Sequence, residues 1–275
     1  MRAPVKYYGG KTKMLPHILP LIPKHRVYLE SFAGGASLFW AKPPSPVEVL
    51  NDINENVANF YRVMKTQFQS LDILIQSTLH CEATFNRAKS IYRSSNYKNE
   101  VERAWAFYVC AIMSFGGEVG GSFQWVKNKN DNWHPAVAIA NRRKEFQVYE
   151  GRLDKVSIRD KLAEQLIPCM DSPELFVYAD PPYVGARQGH YSGYTQEQFE
   201  ALLDELSVME GKFLMSSYPN DALSAFVKEN GWNQREISMR LGITGNQQRK
   251  TEVLTWNYEL EKKAPTLFSE LNDHF

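Results

Sequence analysis

An apolar run of five residues, Leu175-Phe176-Val177-Tyr178-Ala179, stops at Asp180-Pro181-Pro182-Tyr183. Each proline fixes its own φ and removes a backbone N–H, so neither a sheet interior nor a helix interior continues through the pair. A strand ending this way delivers a carboxylate, two peptide units without donors and an aromatic ring to a sheet edge. In open parallel sheets ligands bind there, outside the carboxyl ends of the strands. The proline carbonyls remain as acceptors. Asp180 and the Pro181 carbonyl can therefore face one small donor with two hydrogens, as an exocyclic amine has. Tyr183 supplies a flat face for the ring that carries it. The plain alternative is a strand-ending turn.

Four other short runs read as strands: 27–32, 47–50, 212–217 and 251–258. The first runs into the small residues Ala33-Gly34-Gly35-Ala36-Ser37, where backbone can approach a ligand closely, and the second ends in Asn51-Asp52. An acidic residue about twenty positions after such a turn is placed to accept from ribose hydroxyls, although Asp52 reads equally well as a cap for the helix starting near Asn54. Helical patterns lie between the strands: 12–21, interrupted by Pro16 and Pro20; one after Asn54; and one after Thr195, whose Phe199, Leu202, Leu203 and Leu206 share a face. Strands alternating with helices predict an α/β fold, a Rossmann-like, mostly parallel sheet with helices on both faces.

The stretch 55–149 breaks that alternation. It opens as helical, mixed-charge sequence, holds the apolar run 104–113, and then places four glycines within 116–121 beside Phe123, Trp125, Lys127, Lys129 and Trp133. We read it as an inserted, mainly helical domain with a loop or hairpin, and residues 1–54 and 150–275 as the domain that carries the sheet. Lys127, Lys129, Arg142, Arg143 and Lys144 make one basic group, and Arg235, Arg240, Arg249 and Lys250 another. The net charge of +1 excludes a uniformly basic coat but leaves room for a basic face. The apolar run 104–113 is about half of the roughly 18 residues a membrane helix needs. Three widely spaced cysteines without CxxC, six histidines without HxxxH, and no apolar N-terminal segment predict a reducing, cytoplasmic setting and no metal. Gly10-Lys11-Thr12 is no phosphate-binding P-loop, since Val5 stands where its first glycine belongs.

Lys6-Tyr7-Tyr8-Gly9-Gly10-Lys11, Glu30-Ser31-Phe32-Ala33-Gly34-Gly35-Ala36-Ser37, Leu50-Asn51-Asp52-Ile53-Asn54, Asp180-Pro181-Pro182-Tyr183 and Arg249-Lys250-Thr251-Glu252 occur in this order. Together they resemble the motifs of the D12 class DNA N6-adenine methyltransferases, in the α group arrangement, with Ala36 where the second glycine of FxGxG is expected. The resemblance implies S-adenosylmethionine as cofactor. By it, Tyr7, Lys11, Asp52 and Asp180 bind that cofactor. Phe32, Ala33 and Gly34 line its methionine and sulfonium region, and Ile158 packs on its adenine. Asp180, Pro181, Pro182 and Tyr183 are the catalytic set, and the insert reads the target.

The partner so implied is double-stranded DNA, with a cognate restriction enzyme as a further possibility. Expected DNA contacts are Lys6, Phe123, Trp125, Lys127, Lys129, Arg142, Arg143, Arg249 and Lys250, with Trp125 and Phe123 as wedges or core. The alternatives keep the chemistry on N4 of cytosine or another planar amine, or keep the fold as a catalytically silent DNA-binding module.

Overall fold

The computed structural model describes residues 1–7, 9–94, 96–125, 135–184, 194–240 and 249–260, with backbone alone for Met239, Arg240, Arg249 and Lys250. In chain order the longer elements are helix α1 (Leu15–Ile18), strand β1 (Val27–Glu30), α2 (Ser37–Ala41), β2 (Val47–Asn51), α3 (Glu55–Thr66), α4 (Phe68–Gln76), α5 (Glu82–Ser94) and α6 (Glu100–Met113). They continue with α7 (Pro135–Glu145), β3 (Val156–Arg159), α8 (Ala163–Met170), β4 (Leu175–Ala179), α9 (Gln196–Val208), β5 (Lys212–Ser217), α10 (Asp221–Asn230), β6 (Asn233–Arg240) and β7 (Arg249–Trp256).

The seven strands form one sheet in the order β3-β2-β1-β4-β5-β7-β6. β3, β2, β1, β4 and β5 are parallel, and β7 pairs antiparallel with β5 and with β6. The fold is α/β with a mixed, mostly parallel sheet. β4 is buried at all five positions, which is why it reads as an unbroken apolar run rather than an alternating one. Chain order reverses between β1 and β4: β1 leads outward to β2, and β4 leads the other way to β5. That switch point opens a crevice at the strands' carboxyl ends.

Polar residues end the elements where they must. The Asn54 side chain accepts from the Asn56 N–H at 3.0 Å and starts α3. Thr195 and Gln198 exchange side-chain and backbone bonds at the start of α9, a reciprocal cap, and Phe199, Leu202, Leu203 and Leu206 of α9 are buried. Gly231, at φ +65°, closes α10. The run at 12–21 resolves into short helical turns divided at its prolines.

Helices α3 to α7 follow β2 and precede β3, and no named strand lies among the described residues between them. Their aromatic residues Phe60, Tyr61, Phe107 and Tyr108, with Phe146 just after α7, join Tyr28, Phe39, Trp40 and Phe176 in one core on one sheet face. A second core, including Leu29, Val177, Phe213 and the buried face of α9, covers the other. Each such aromatic or aliphatic side chain stabilises by about 1.5–3 kcal/mol. α6 is buried from Ala104 to Met113. The glycine-rich stretch after it is closed by a bridge between Ser114 and Phe123. Among the described residues no helix is long and apolar enough to cross a membrane.

Candidate active site

The crevice at the switch point is a concave cleft open to solvent, the kind of surface small ligands take. Three pieces of chain wall it: Tyr7 with Gly9, Gly10 and Lys11; Glu30 with the turn after β1; and Tyr178 with Asp180, Pro181, Pro182 and Tyr183. The turn bends sharply. Gly34 has φ +47° and Ala36 φ +50°. The left-handed region costs a residue with a Cβ about 1–2 kcal/mol, and Ala36 meets that cost at the start of α2. At Gly34 a Cβ would lie 2.8 Å from Tyr7 Cδ1, so the Tyr7 ring would have to move to admit one.

Neighbouring strand ends hold the turn. The Gly34 N–H donates to Asp52 Oδ2 at 2.7 Å, and its carbonyl accepts from the Tyr61 hydroxyl of α3 at 3.0 Å. The Ala33 N–H donates to the Asn51 carbonyl at 2.8 Å. The Asn51 amide, 1 % exposed, donates to the Ser31 and Lys161 carbonyls and accepts from the Lys161 N–H, each at 2.9 Å. One buried side chain thus ties β1 and β2 to the segment after β3.

At the end of β4 the Asp180 carboxylate pairs with the Lys11 ammonium, Oδ1 to Nζ at 2.7 Å. Lys11 Nζ also donates to the Gly9 carbonyl at 2.9 Å and lies 5.0 Å from the centroid of the Tyr183 ring. The Gly-Gly-Lys turn thus sets an ammonium against a carboxylate. Tyr183 is buried; its hydroxyl lies 3.5 Å from Asp180 Oδ1 and 3.3 Å from Ser216 Oγ.

Glu30 is the cleft's second carboxyl. Oε2 accepts from the Tyr28 hydroxyl at 2.7 Å and the Phe39 N–H at 2.9 Å. Burial pushes its pKa up to about 8. The two hydrogen bonds pull it back and the Asp180 charge adds to the rise, so the carboxyl is mostly neutral near pH 7.

Of the residues singled out in the sequence, Tyr7, Lys11, Phe32, Ala33, Gly34, Asp180, Pro181, Pro182 and Tyr183 all line the cleft. Asp52 and Ile158 do not. Asp52 stands beneath the turn, where Oδ1 accepts from the Asn54 N–H at 2.8 Å and Oδ2 from Gly34. Ile158 pairs in register with Leu50 and is half-buried against the core.

The expected DNA contacts divide. Lys6 is half-buried, and burial, then the Arg142 charge, lowers its pKa. Arg142 donates to the Pro4 carbonyl at 3.1 Å and Arg143 to the Thr78 carbonyl at 2.6 Å. Phe123 packs against His80 and Phe85, with ring centroids 4.9 and 5.5 Å away, while Trp125 is 61 % exposed. Lys127, Lys129 and Trp133, and the side chains of Arg240, Arg249 and Lys250, lie outside the described residues. Sequence reading gave no role to Glu30, Asn51, Tyr61 or Ser216. Glu30 stood inside a quoted motif, and its placement beside small residues was the available signal.

This cleft is a ligand site of the α/β type, with a tethered carboxylate, a proline-fixed backbone and an aromatic wall. The family model for the D12 class N6 adenine-specific DNA methyltransferases matches residues 7–229, and the chain belongs to that family. It is 26 % identical to the type II methyltransferase M1.LlaDCHI of Lactococcus lactis subsp. cremoris, over 94 % of this chain and 96 % of that protein. The modification methylase LlaI of Lactococcus lactis subsp. lactis is 23 % identical over 94 % of this chain, which spans 43 % of that longer protein. The modification methylase StsI of Streptococcus sanguinis is 34 % identical over 68 residues, 24 % of this chain and 10 % of that protein. Membership makes the enzyme a DNA methyltransferase that uses S-adenosylmethionine, with adenine specificity following from the family.

Proposed function

We propose that this cleft binds S-adenosylmethionine beside an adenine extruded from a specific sequence of double-stranded DNA, and that Asp180 and the Pro181 carbonyl together accept the hydrogens of its N6 amine. The observation that carries the reading is the Asp180 carboxylate, ion-paired to Lys11, in the wall of the cleft at the switch point. The residues suit a cationic cofactor: two carboxyl groups, Glu30 and Asp180, face the same space, and the absent Cβ of Gly34 leaves the turn and Tyr7 in contact. Tyr7, Lys11 and the Phe32-Ala33-Gly34 turn hold it, and Asp52 and Ile158 flank its nucleoside end. When bound, S-adenosylmethionine supplies an electrophilic methyl group on a sulfonium.

The chemistry of the chain's own groups follows from the amine. Its lone pair is delocalised into the purine ring, so it is a poor nucleophile. Two fixed acceptors on its hydrogens favour a pyramidal nitrogen and stabilise the positive charge that develops there, by about 3–4 kcal/mol per well-placed group. Lys11 holds the carboxylate in place, and no strong base is required, because the methylated nitrogen is acidic and sheds its proton. Extruding the base costs a few kcal/mol, which stacking on Tyr183 offsets by roughly 1–3 kcal/mol.

Residues 55–149 serve as the target-recognition part, and 1–54 with 150–275 as the catalytic part. Lys6, Arg142, Arg143, Lys127, Lys129, Arg249 and Lys250 meet the phosphates, and Trp125 faces the base stack, while Phe123 packs on His80 and Phe85. A DNA substrate fits a role in the cytoplasm, and the relatives' names as modification methylases fit a cognate restriction enzyme alongside. Asp180→Ala tests the core of the reading: at saturating cofactor, and in a protein that still folds, kcat should fall by about 10²–10³-fold. Turnover at the parental rate refutes the acceptor pair. Digesting the methylated DNA to nucleosides separates N6-methyladenine from N4-methylcytosine.

A further inference from the structure

Behind Tyr183 the end of β5 brings up two side chains with no role so far. β4 and β5 are paired as far as Ala179 and Met215, so the next residues, Asp180 and Ser216, stand side by side, with Ser216 still paired to Leu254 of β7. Ser216 is fully buried, with its Oγ 3.3 Å from the Tyr183 hydroxyl. Tyr218, half-buried, sets its ring against that of Tyr183, with centroids 4.1 Å apart and planes inclined at 47°. Ser216 and Tyr218 are not among the cleft's lining residues, whereas Tyr183, Asp180 and Lys11 are. They therefore back the wall without forming it. The Tyr183 hydroxyl remains protonated, because burial, then the charges of Asp180 and Glu252, raise its pKa well above the usual tyrosine value.

We propose that Ser216 and Tyr218 are positioning residues for the acceptor base: Tyr218 sets the plane of the Tyr183 ring, and Ser216 shares the Tyr183 hydroxyl with Asp180, keeping ring and carboxylate in one register. The inference rests on the reading in which Tyr183 receives the base. A phenol held at its hydroxyl alone still turns about its long axis. A second ring packed this closely against it removes that freedom. Asp180 is meanwhile held by Lys11 at 2.7 Å. The base and its two acceptors are then fixed relative to each other before the amine arrives.

The test is steady-state methyl transfer to unmethylated genomic DNA, with cofactor Kd by calorimetry and melting followed in parallel. Misplacement of reacting groups by about 1 Å costs on the order of 10²-fold, so Tyr218→Ala should lower kcat by about 10- to 100-fold. Cofactor Kd should stay within about twofold of the parent, which separates positioning from general damage. Tyr218→Phe keeps the flat ring and should recover most of the loss. Ser216→Ala removes one hydrogen bond and should lower kcat by about 3- to 10-fold. Should Tyr218→Ala fail to fold, Tyr218→Leu fills the volume without a flat face and makes the same comparison.

Parental kcat in the variant lacking the ring, equal impairment of Tyr218→Phe, or kcat and cofactor affinity falling together would each overturn the inference. A parent protein that methylates no adenine refutes the proposed function, and this inference with it. A parent that does, alongside a fully active Tyr218→Ala, refutes the inference alone.

Discussion

Glu30 is a carboxyl group that is 2 % exposed, with Oε2 accepting from the Tyr28 hydroxyl and the Phe39 N–H. Burial raises its pKa from 4.5 to about 8. Between those two values the folded protein keeps a proton that the unfolded chain has released. Glu30's contribution to stability is therefore fully present below the unfolded value and is lost as pH rises through the window, after which the slope vanishes. The loss is about 1.4 kcal/mol per pH unit.

Glu30→Gln keeps the shape and an acceptor for both hydrogen bonds and removes the titration. Urea unfolding of parent and variant from about pH 5 to about pH 9 then gives a difference curve in which every other group cancels. That difference should move in favour of the glutamine by about 4 kcal/mol between about pH 5 and pH 8, and stay level above. A difference that is flat across that range refutes the claim that the cleft holds Glu30 neutral.

Gly34→Ala places a methyl group 2.8 Å from Tyr7 Cδ1 at φ +47°; it should destabilise by about 1–3 kcal/mol and weaken cofactor binding at least about tenfold, measured by melting and calorimetry. Glu48, 3 % exposed, receives Lys42 at 2.7 Å and Arg152 at 2.6 Å. Burial alone would raise its pKa, but the Arg152 and Lys42 hydrogen bonds more than offset it and the net shift is downward. Its contribution is thus present above the unfolded value and lost as pH falls through the lowered one. Glu48→Gln strands two cations and should cost about 3–5 kcal/mol by urea unfolding near neutral pH; a loss under about 1 kcal/mol would show that water reaches the pair.

The sequence reveals best what burial and proline enforce. Leu175–Ala179 and Lys212–Ser217 are found at their observed bounds, because strands covered on both faces have no room for polar residues until the strand ends. β3 and β6 went unread for the opposite reason. They are the two sheet edges, four residues long in one case and, in the other, a polar strand in which Ile237 is buried between exposed Glu236 and Ser238. No apolar run marks such strands. The cleft was legible as a set of motifs, but not as a mechanism of assembly. That Lys11 pairs with Asp180 across 169 positions, that Tyr61 of α3 holds the Gly34 carbonyl, and that Asn51 ties three strand ends together all depend on contacts distant in sequence.

The pair of carboxyl groups shows what those distant contacts accomplish. Glu30 and Asp180 end adjacent parallel strands and line one cleft, yet their surroundings differ. Asp180 is paired with an ammonium and 19 % exposed. Glu30 sits deeper, with neutral donors for its nearest partners, and keeps its proton. Two like charges in so small a space would repel each other; one paired and one neutral carboxyl leave the empty cleft near electroneutral. Environments that push two carboxyls apart in this way assign them different tasks. On the proposed reading the paired one, held in place by Lys11, is the acceptor for the amine. On the same reading the neutral one faces the cationic ligand as well, and its protonated form is the one that stabilises the fold below about pH 8.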